Sequence, residues 1–291
     1  MDAKKVGKSI AFLRKYYGMT QSSLAEQLGV TDKAVSRWER GQGVPDISLL
    51  TKLSIILDTD IESILEGNLT NLELKWKGIL NLHYAEGINA DTLLFGKCSV
   101  YFQLSFFMLA GIKEICIRGK KRDIEFAQEK LANGSKFGIH LEYEIVSENL
   151  LELTNVIHSD LFDRYYSDGG VMLINGLDFL YGKDVTKYFR RIIYSSIYPV
   201  KLLNFKRKPT SIFFFPHTDE TKGYLIDDVI NRIHTQVMER GIITFPIKTE
   251  IDLLDAATLI RILEVHQGEK TADLTEIAIR RTLLQEDIVQ L

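Results

Sequence analysis

The sequence predicts an all-α bundle of five short helices followed by a larger α/β domain with a mostly parallel sheet. Three observations carry this. In the first 68 residues, apolar side chains recur at helical spacing in five segments, several of them preceded by a residue able to cap a helix. From Trp76 onward, short runs rich in Val, Ile, Leu and Phe alternate with helical patterns. Several of these runs are apolar on both faces, as strands covered on both sides must be. The chain of 291 residues is long enough for one small and one large domain. The expected boundaries are a first domain over 1–68, a short linker over 69–75 and a second domain over 76–291.

The helices come first. Lys4 to Tyr17 puts Val6, Ile10, Leu13 and Tyr17 on one stripe, and Gly18 ends it. Thr20 to Gly41 reads TQSSLAEQLGVTDKAVSRWERG, two short helices joined by a tight turn. A hydroxyl at Thr20 can accept from a free N–H in the first turn. Leu24, Ala25 and Leu28 follow at helical spacing, and Gly29 takes the turn because glycine tolerates positive φ. Thr31 can cap the second helix, where Val35 and Trp38 point one way and Lys33, Ser36, Arg37 and Arg40 lie on other faces. After Gly41, Gly43 and Pro45, Asp46 can cap a fourth helix carrying Leu49, Leu50, Leu53 and Leu57. Asp60 can cap a fifth with Ile61, Ile64 and Leu65, stopped by Gly67. A helix pair with a buried seam and a polar, basic second helix is what reading a DNA major groove requires.

The second part has a different rhythm. Strands are expected at KGILNL (77–82), IKEICI (112–117), LEYEIV (141–146), VMLI (171–174) and SIFFF (211–215). Helices are expected over 100–109, 123–131, 148–158 and 184–194, with an amphipathic helix over 273–291. Ligands of such sheets sit beyond the carboxyl ends of the strands.

A net charge of -3 and a pI near 6.1 exclude a chain coated with basic charge. The charge is uneven, however. Residues 1–43 hold eight Lys or Arg against four Asp or Glu, while residues 44–68 hold one Lys against five acids. A DNA-facing half with an acidic far side gives this asymmetry, and so does surface scatter. Cys98 and Cys116 lie in apolar runs without metal-ligand spacing, so they read as core residues of a reducing compartment. His217 with Asp219 and Glu220 reads as a solvated loop. No secretory signal is expected, and no apolar run approaches the ~20 residues that span a bilayer. The expectation is a cytoplasmic protein with no membrane partner.

The stretch from Val6 to Asn68 resembles the Cro/repressor-type, or xenobiotic-response-element (XRE) type, helix-turn-helix family. TQSSLAEQLGV, VSRWERG, LLTKLSIIL and DIESILEGN carry the likeness. The resemblance implies a role for Gln21 at a phosphate or base edge. It places Thr31, Asp32, Lys33, Ser36 and Arg37 at the recognition helix, with Arg40 suited to phosphate. It also implies a structural pair between Arg14 and Glu39, and double-stranded DNA as partner.

From Lys77 the chain resembles sugar-phosphate nucleotidyltransferases, in particular glucose-1-phosphate thymidylyltransferases. KGILNL, FMLAGIKEICI, RDIEFAQEKLANGSKFGIHLEYEI, VMLINGLDFLYG and LLDAAT carry that likeness. It implies a Rossmann-like sheet, yet the chemistry departs from the family. The glycine-rich, arginine-bearing phosphate loop is replaced by LHYAEGINA, with His83 and Tyr84 at glycine positions. The first family lysine falls near Asn89, and Leu177 stands where a metal-binding aspartate is expected. Lys97, Asp178 and Asp255 remain as candidate ligand contacts beside His83 and Tyr84.

Two readings follow. One is a transcriptional regulator whose second domain, having lost its catalytic residues, senses a nucleotide, nucleotide sugar or sugar phosphate, dimerises, or both. It has no catalytic residues and needs no metal or cofactor. The alternative is an active nucleotidyltransferase, using magnesium, with a fused DNA-binding module. A third possibility is an interaction scaffold.

Overall fold

The structure is a computed structural model that describes residues 2–16, 19–57, 59, 61–66, 76–182, 185–196, 198–217, 232–238, 241–268 and 270–279. These fall into two compact units, 2–66 and 76–279. Tyr17, Gly18, Asp60, Gly67, the linker 69–75, Asp219, Glu220 and residues 280–291 lie outside the described residues.

Among the described residues of the first unit there are five helices: α1 Ala3–Tyr16, α2 Gln21–Leu28, α3 Asp32–Glu39, α4 Ile47–Ile56 and α5 Ile61–Glu66. The capping residues read from the sequence perform that task. Thr20 accepts from the Ser23 N–H at 3.0 Å, Thr31 from Ala34 at 3.2 Å and Asp46 from Ser48 at 2.9 Å. Gly29 closes α2 at φ 72°, where a side chain would be strained. Val6, Ile10 and Leu13 of α1 share one core with Leu24, Leu28, Val35, Trp38, Leu53 and Ile64. Backbone approaches backbone closely between α1 and α3. A Cβ added at Gly7 would lie 2.0 Å from the carbonyl oxygen of Trp38. The expected Arg14–Glu39 pair is present, with Nε–Oε1 at 2.5 Å and both side chains buried.

The second unit is built on a seven-stranded sheet in the order β10-β8-β9-β6-β1-β4-β5. The strands are β1 Lys77–Asn81, β4 Glu114–Gly119, β5 His140–Ile145, β6 Val171–Asn175, β8 Val200–Leu203, β9 Pro209–Phe215 and β10 His234–Val237. β5, β4, β1 and β6 run parallel, and β8 pairs parallel with β10. β9 is antiparallel to both β6 and β8. The SIFFF run therefore enters the sheet against the direction of the other apolar strands. The reason is local: a turn of a few residues joins β8 to β9, and so short a connection permits only antiparallel pairing. Small two-stranded ladders pair β2 Leu93–Leu94 with β3 Lys97–Cys98, and β7 Asp178–Tyr181 with β11 Ile243–Pro246.

Helices α6 Ser99–Ala110, α7 Lys121–Leu131, α8 Leu153–Ile157, α9 Asp160–Asp168 and α10 Val185–Ser195 accompany the sheet. The single helix expected over 148–158 is a 3₁₀ turn, Glu148–Leu151, followed by α8. The break has a cause. The Leu151 carbonyl accepts from the Asn81 side chain at 2.7 Å, and Glu152 turns to extended backbone. Helix α11, Glu250–Gln267, opens with a reciprocal capping box between Thr249 and Asp252. Of the helix expected over 273–291, residues 274–279 are helical.

Candidate functional site

The first candidate site is the outer face of α3. Val35 and Trp38 are buried, which turns Thr31, Asp32, Lys33, Arg37 and Arg40 outward as exposed residues and leaves Ser36 partly exposed. Asp32, Ser36 and Arg40 recur at i, i+4 and i+8, with Lys33 and Arg37 at i and i+4 beside them, so these five share one face. Arg37 donates through Nε to the Gln42 carbonyl at 3.0 Å, and Arg40 to the Ser36 carbonyl at 3.2 Å. Both guanidinium groups are thus aimed by the backbone while remaining accessible. Asp32 accepts from the Lys33 N–H at 2.8 Å in the first turn, where a carboxylate suits the helix dipole. Gln21 differs from its sequence reading. Its amide nitrogen donates to Glu39 at 2.6 Å and is committed to the buried Arg14–Glu39 pair.

The second candidate site is a cleft of about 440 Å³ at the carboxyl ends of β1 and β6. His83 and Tyr84, from the loop after β1, form one wall. Gly176 and Asp178, Ser211 of β9, and the cations Lys201 and Lys248 complete it. Asp178 is fully buried. Its Oδ2 accepts from the Ser211 N–H at 2.6 Å and from the Ser211 hydroxyl. Its Oδ1 is buried without a hydrogen-bond partner among the described residues. Burial pushes this carboxyl up to about 6, against the opposing pull of the two Ser211 bonds and Lys248.

Tyr84 does more than line the cleft. Its hydroxyl donates to Oε1 of Gln103 at 2.7 Å, and the Gln103 amide donates to the Gly176 carbonyl at 2.6 Å. Burial holds the Tyr84 hydroxyl far above the usual phenol range. The rest of the loop is pinned as well. Asn89 N–H donates to Thr92, Ala90 N–H to Asp123, and the Ser99 hydroxyl to the Asn89 carbonyl. The backbone N–H groups of His83, Ile88, Asn89 and Ala90 are thus bonded within the chain and are not offered to a phosphate.

Two sequence candidates lie elsewhere. Lys97 is drawn 2.6 Å from Glu264 and 2.6 Å from the Thr271 carbonyl, so it does not line the cleft. Asp255 is exposed on α11, turned away from the buried Ala256 and Ile260, and does not line it either. Leu177 lines the cleft but packs into a core with Ile88, Phe102, Phe179 and Ile260. A divalent ion bridging phosphates needs one or two carboxylates with accessible oxygens. Asp178 and Asp255 do not assemble such a pair, and no group of three or more His, Cys, Asp or Glu side chains suited to a metal occurs among the described residues.

Sequence reasoning missed Gln103, Ser211, Lys201 and Lys248. Gln103 carried a signal, since an amide inside a wholly apolar helix needs a buried partner. The lysines carried none, because they come from distant segments.

The helix-turn-helix family model matches residues 3–64. A 55-residue stretch is 40% identical to the HTH-type transcriptional activator BcrR of Enterococcus faecalis, covering 19% of this chain and 27% of that protein. A glucose-1-phosphate thymidylyltransferase of Neisseria gonorrhoeae is 31% identical over 107 residues, 36% of each chain. One from Mycolicibacterium smegmatis is 25% identical over 248 residues, 69% of this chain and 85% of that one. The match thus spans about a third of the gonococcal relative's length. Among solved structures, a glucose-1-phosphate thymidylyltransferase from Bacillus anthracis in complex with sucrose superposes with a TM-score of 0.51 at 14% identity. That superposition covers 64% of this chain and 95% of that one, and it shows the fold. The chain therefore joins a helix-turn-helix module of the kind found in DNA-binding regulators to a nucleotidyltransferase-like α/β domain. No helix among the described residues is long and apolar enough to cross a membrane.

Proposed function

We propose that this chain is a sequence-specific, DNA-binding transcriptional regulator of the cytoplasm, whose α/β domain senses a ligand and dimerises without transferring nucleotides. One contrast carries the reading. The polar face of α3 stands exposed with Lys33, Arg37 and Arg40 outward, while Tyr84 occupies the phosphate-loop position and is hydrogen-bonded into the core. Lys33 or Arg37 reads guanine in the major groove and Arg40 holds a phosphate. The effector is a nucleotide, nucleotide sugar or sugar phosphate. Lys201 and Lys248 supply positive charge to its phosphate, and His83 supplies a ring edge. Against catalysis stand the core position of Leu177, the withdrawal of Lys97 to Glu264 and the absence of Asp255 from the cleft lining.

A gel-shift assay with genomic fragments tests the regulator reading. A specific complex weakened by Arg37→Ala is expected, and no complex, or one indifferent to that change, overturns it. A thermal-shift series with nucleotides and sugar phosphates tests the sensor, because a ligand of the native state raises Tm. Pyrophosphate release from a nucleoside triphosphate and a sugar phosphate would overturn the assignment of an inactive domain.

A further inference from the structure

Residues 204–208 form the tip of the hairpin between β8 and β9, and one side chain holds its shape. Asn204 is buried, and its Oδ1 accepts from the Lys206 N–H at 3.0 Å and the Lys208 N–H at 2.9 Å. Its backbone N–H donates to the Lys208 carbonyl at 2.8 Å, and its carbonyl accepts from the Arg207 N–H at 2.8 Å. The backbone groups of the tip are thus bonded to Asn204, which fixes the loop. The four residues it carries, Phe205, Lys206, Arg207 and Lys208, are all exposed. Phe205 is 57% exposed, with the Lys206 ammonium 5.7 Å from its ring centroid. Arg207 sits at φ 59°, in the left-handed region where glycine would be free of strain, so the chain spends backbone energy to place a guanidinium at the apex. None of the three cations forms an ion pair among the described residues.

The charge around the tip indicates its partner. Residues 185–218 hold seven Lys or Arg and no Asp or Glu, the longest stretch of the chain without an acid. The remainder of 76–291 holds 19 Lys or Arg against 29 Asp or Glu, a net charge of -10. Phosphates repel such a domain from every acidic side and attract it at this segment alone. A projecting tip encloses no small molecule, whereas a duplex offers a row of phosphates, about one charge per 1.7 Å of its axis, to successive cations. Arg207 suits a phosphate through its planar fork. A single exposed aromatic ring is little apolar surface for seating in a lipid bilayer, and the same chain carries a helix-turn-helix module.

We propose that the 204–208 hairpin tip is a second DNA contact, in which Lys206, Arg207 and Lys208 bind backbone phosphates. This rests on the DNA-binding reading of the chain and adds to it a contact that carries no base information.

Fluorescence anisotropy on the full chain, with a specific genomic fragment and a random duplex, tests it over about 50 to about 200 mM salt. Each phosphate contact adds about 0.9 to the slope of log K against log salt. Lys206→Gln, Arg207→Gln and Lys208→Gln combined should lower the slope by about 2 to 3 and weaken both duplexes by the same factor, about tenfold or more at the lower salt. Lys206→Gln with Lys208→Gln, which leaves the strained Arg207 position untouched, should lower it by about 2. Preference for the specific fragment should not change in either variant. An unchanged slope in both overturns the proposal. So does a loss confined to binding of phosphatidylserine vesicles, which would make the tip a membrane contact. Arg37→Ala separates the two readings: if it leaves the preference between duplexes intact, the recognition role of α3 fails while the slope difference still stands.

Discussion

Tyr84 and Gln103 are joined by a hydrogen bond of 2.7 Å, and through Gln103 the loop after β1 is tied to the end of β6 at Gly176. The link is a buried side-chain relay. Tyr84→Phe removes the donor and leaves the Gln103 carbonyl buried without its partner. The expected loss is about 1–3 kcal/mol, read by urea unfolding of the full chain. A loss within a few tenths of wild type would mean that the relay does not hold the loop.

Asp178 makes stability depend on pH in a direction unusual for a carboxylate. Its folded value is raised from 3.8 to about 6 by burial. Below about pH 4 the group is protonated whether the chain is folded or not. Between about 4 and 6 the native state keeps a proton that the unfolded chain has released, so stability falls as pH rises and levels off above 6. The span corresponds to about 3 kcal/mol as an order of magnitude. Asp178→Asn should flatten this part of the profile, seen as a smaller change in Tm between pH 4.5 and 7 than in wild type.

Gly7 is where α1 comes nearest to α3. With a Cβ placed 2.0 Å from the Trp38 carbonyl oxygen, Gly7→Ala must push the two helices apart. Overpacking of this kind costs about 1–3 kcal/mol. The DNA-binding module should melt earlier, and DNA affinity should fall with it, in a variant that touches no DNA.

Arg37 and Arg40 should separate by the kind of affinity they supply. Arg37→Ala is expected to cost about 1–3 kcal/mol and to relax preference at one base position. Arg40→Ala should weaken all sequences alike and reduce the slope of log K against log salt by about 1. Competition gel shifts at several salt concentrations distinguish the two.

The helical domain was nearly all legible in the sequence, because its signals are local. Thr20, Thr31 and Asp46 cap the helices they precede, and Gly29 takes positive φ. The parallel strands were legible from apolar runs, with ends shifted by up to two residues at β4. What was not legible depends on distance. Helix α9 carries Leu161, Phe162, Tyr165 and Tyr166 at helical spacing behind a Ser159 cap, and this local signal was passed over. Strands β8, β10 and β11 are only four residues each and gain their identity from partners far along the chain. The cleft was half legible. His83, Tyr84 and Asp178 line it, while Lys97 and Asp255 follow other elements away from it. Spacing in a sequence cannot report which way a side chain leaves its element.

Cys116, buried on β4 with its thiol pushed up to about 12, is a reporter for the α/β unit alone. Thiolate is the species that alkylating reagents attack, so in the native protein this sulfur is all but inert and reacts when the sheet opens. The chain's other cysteine, Cys98, belongs to the same α/β unit, and residues 1–75 contain none. Trp38 is the single tryptophan of the helical unit. In a chain with Cys98 and Trp76 of the α/β unit replaced, labelling kinetics at Cys116 follow the opening of that unit, while indole emission from Trp38 follows the helical one.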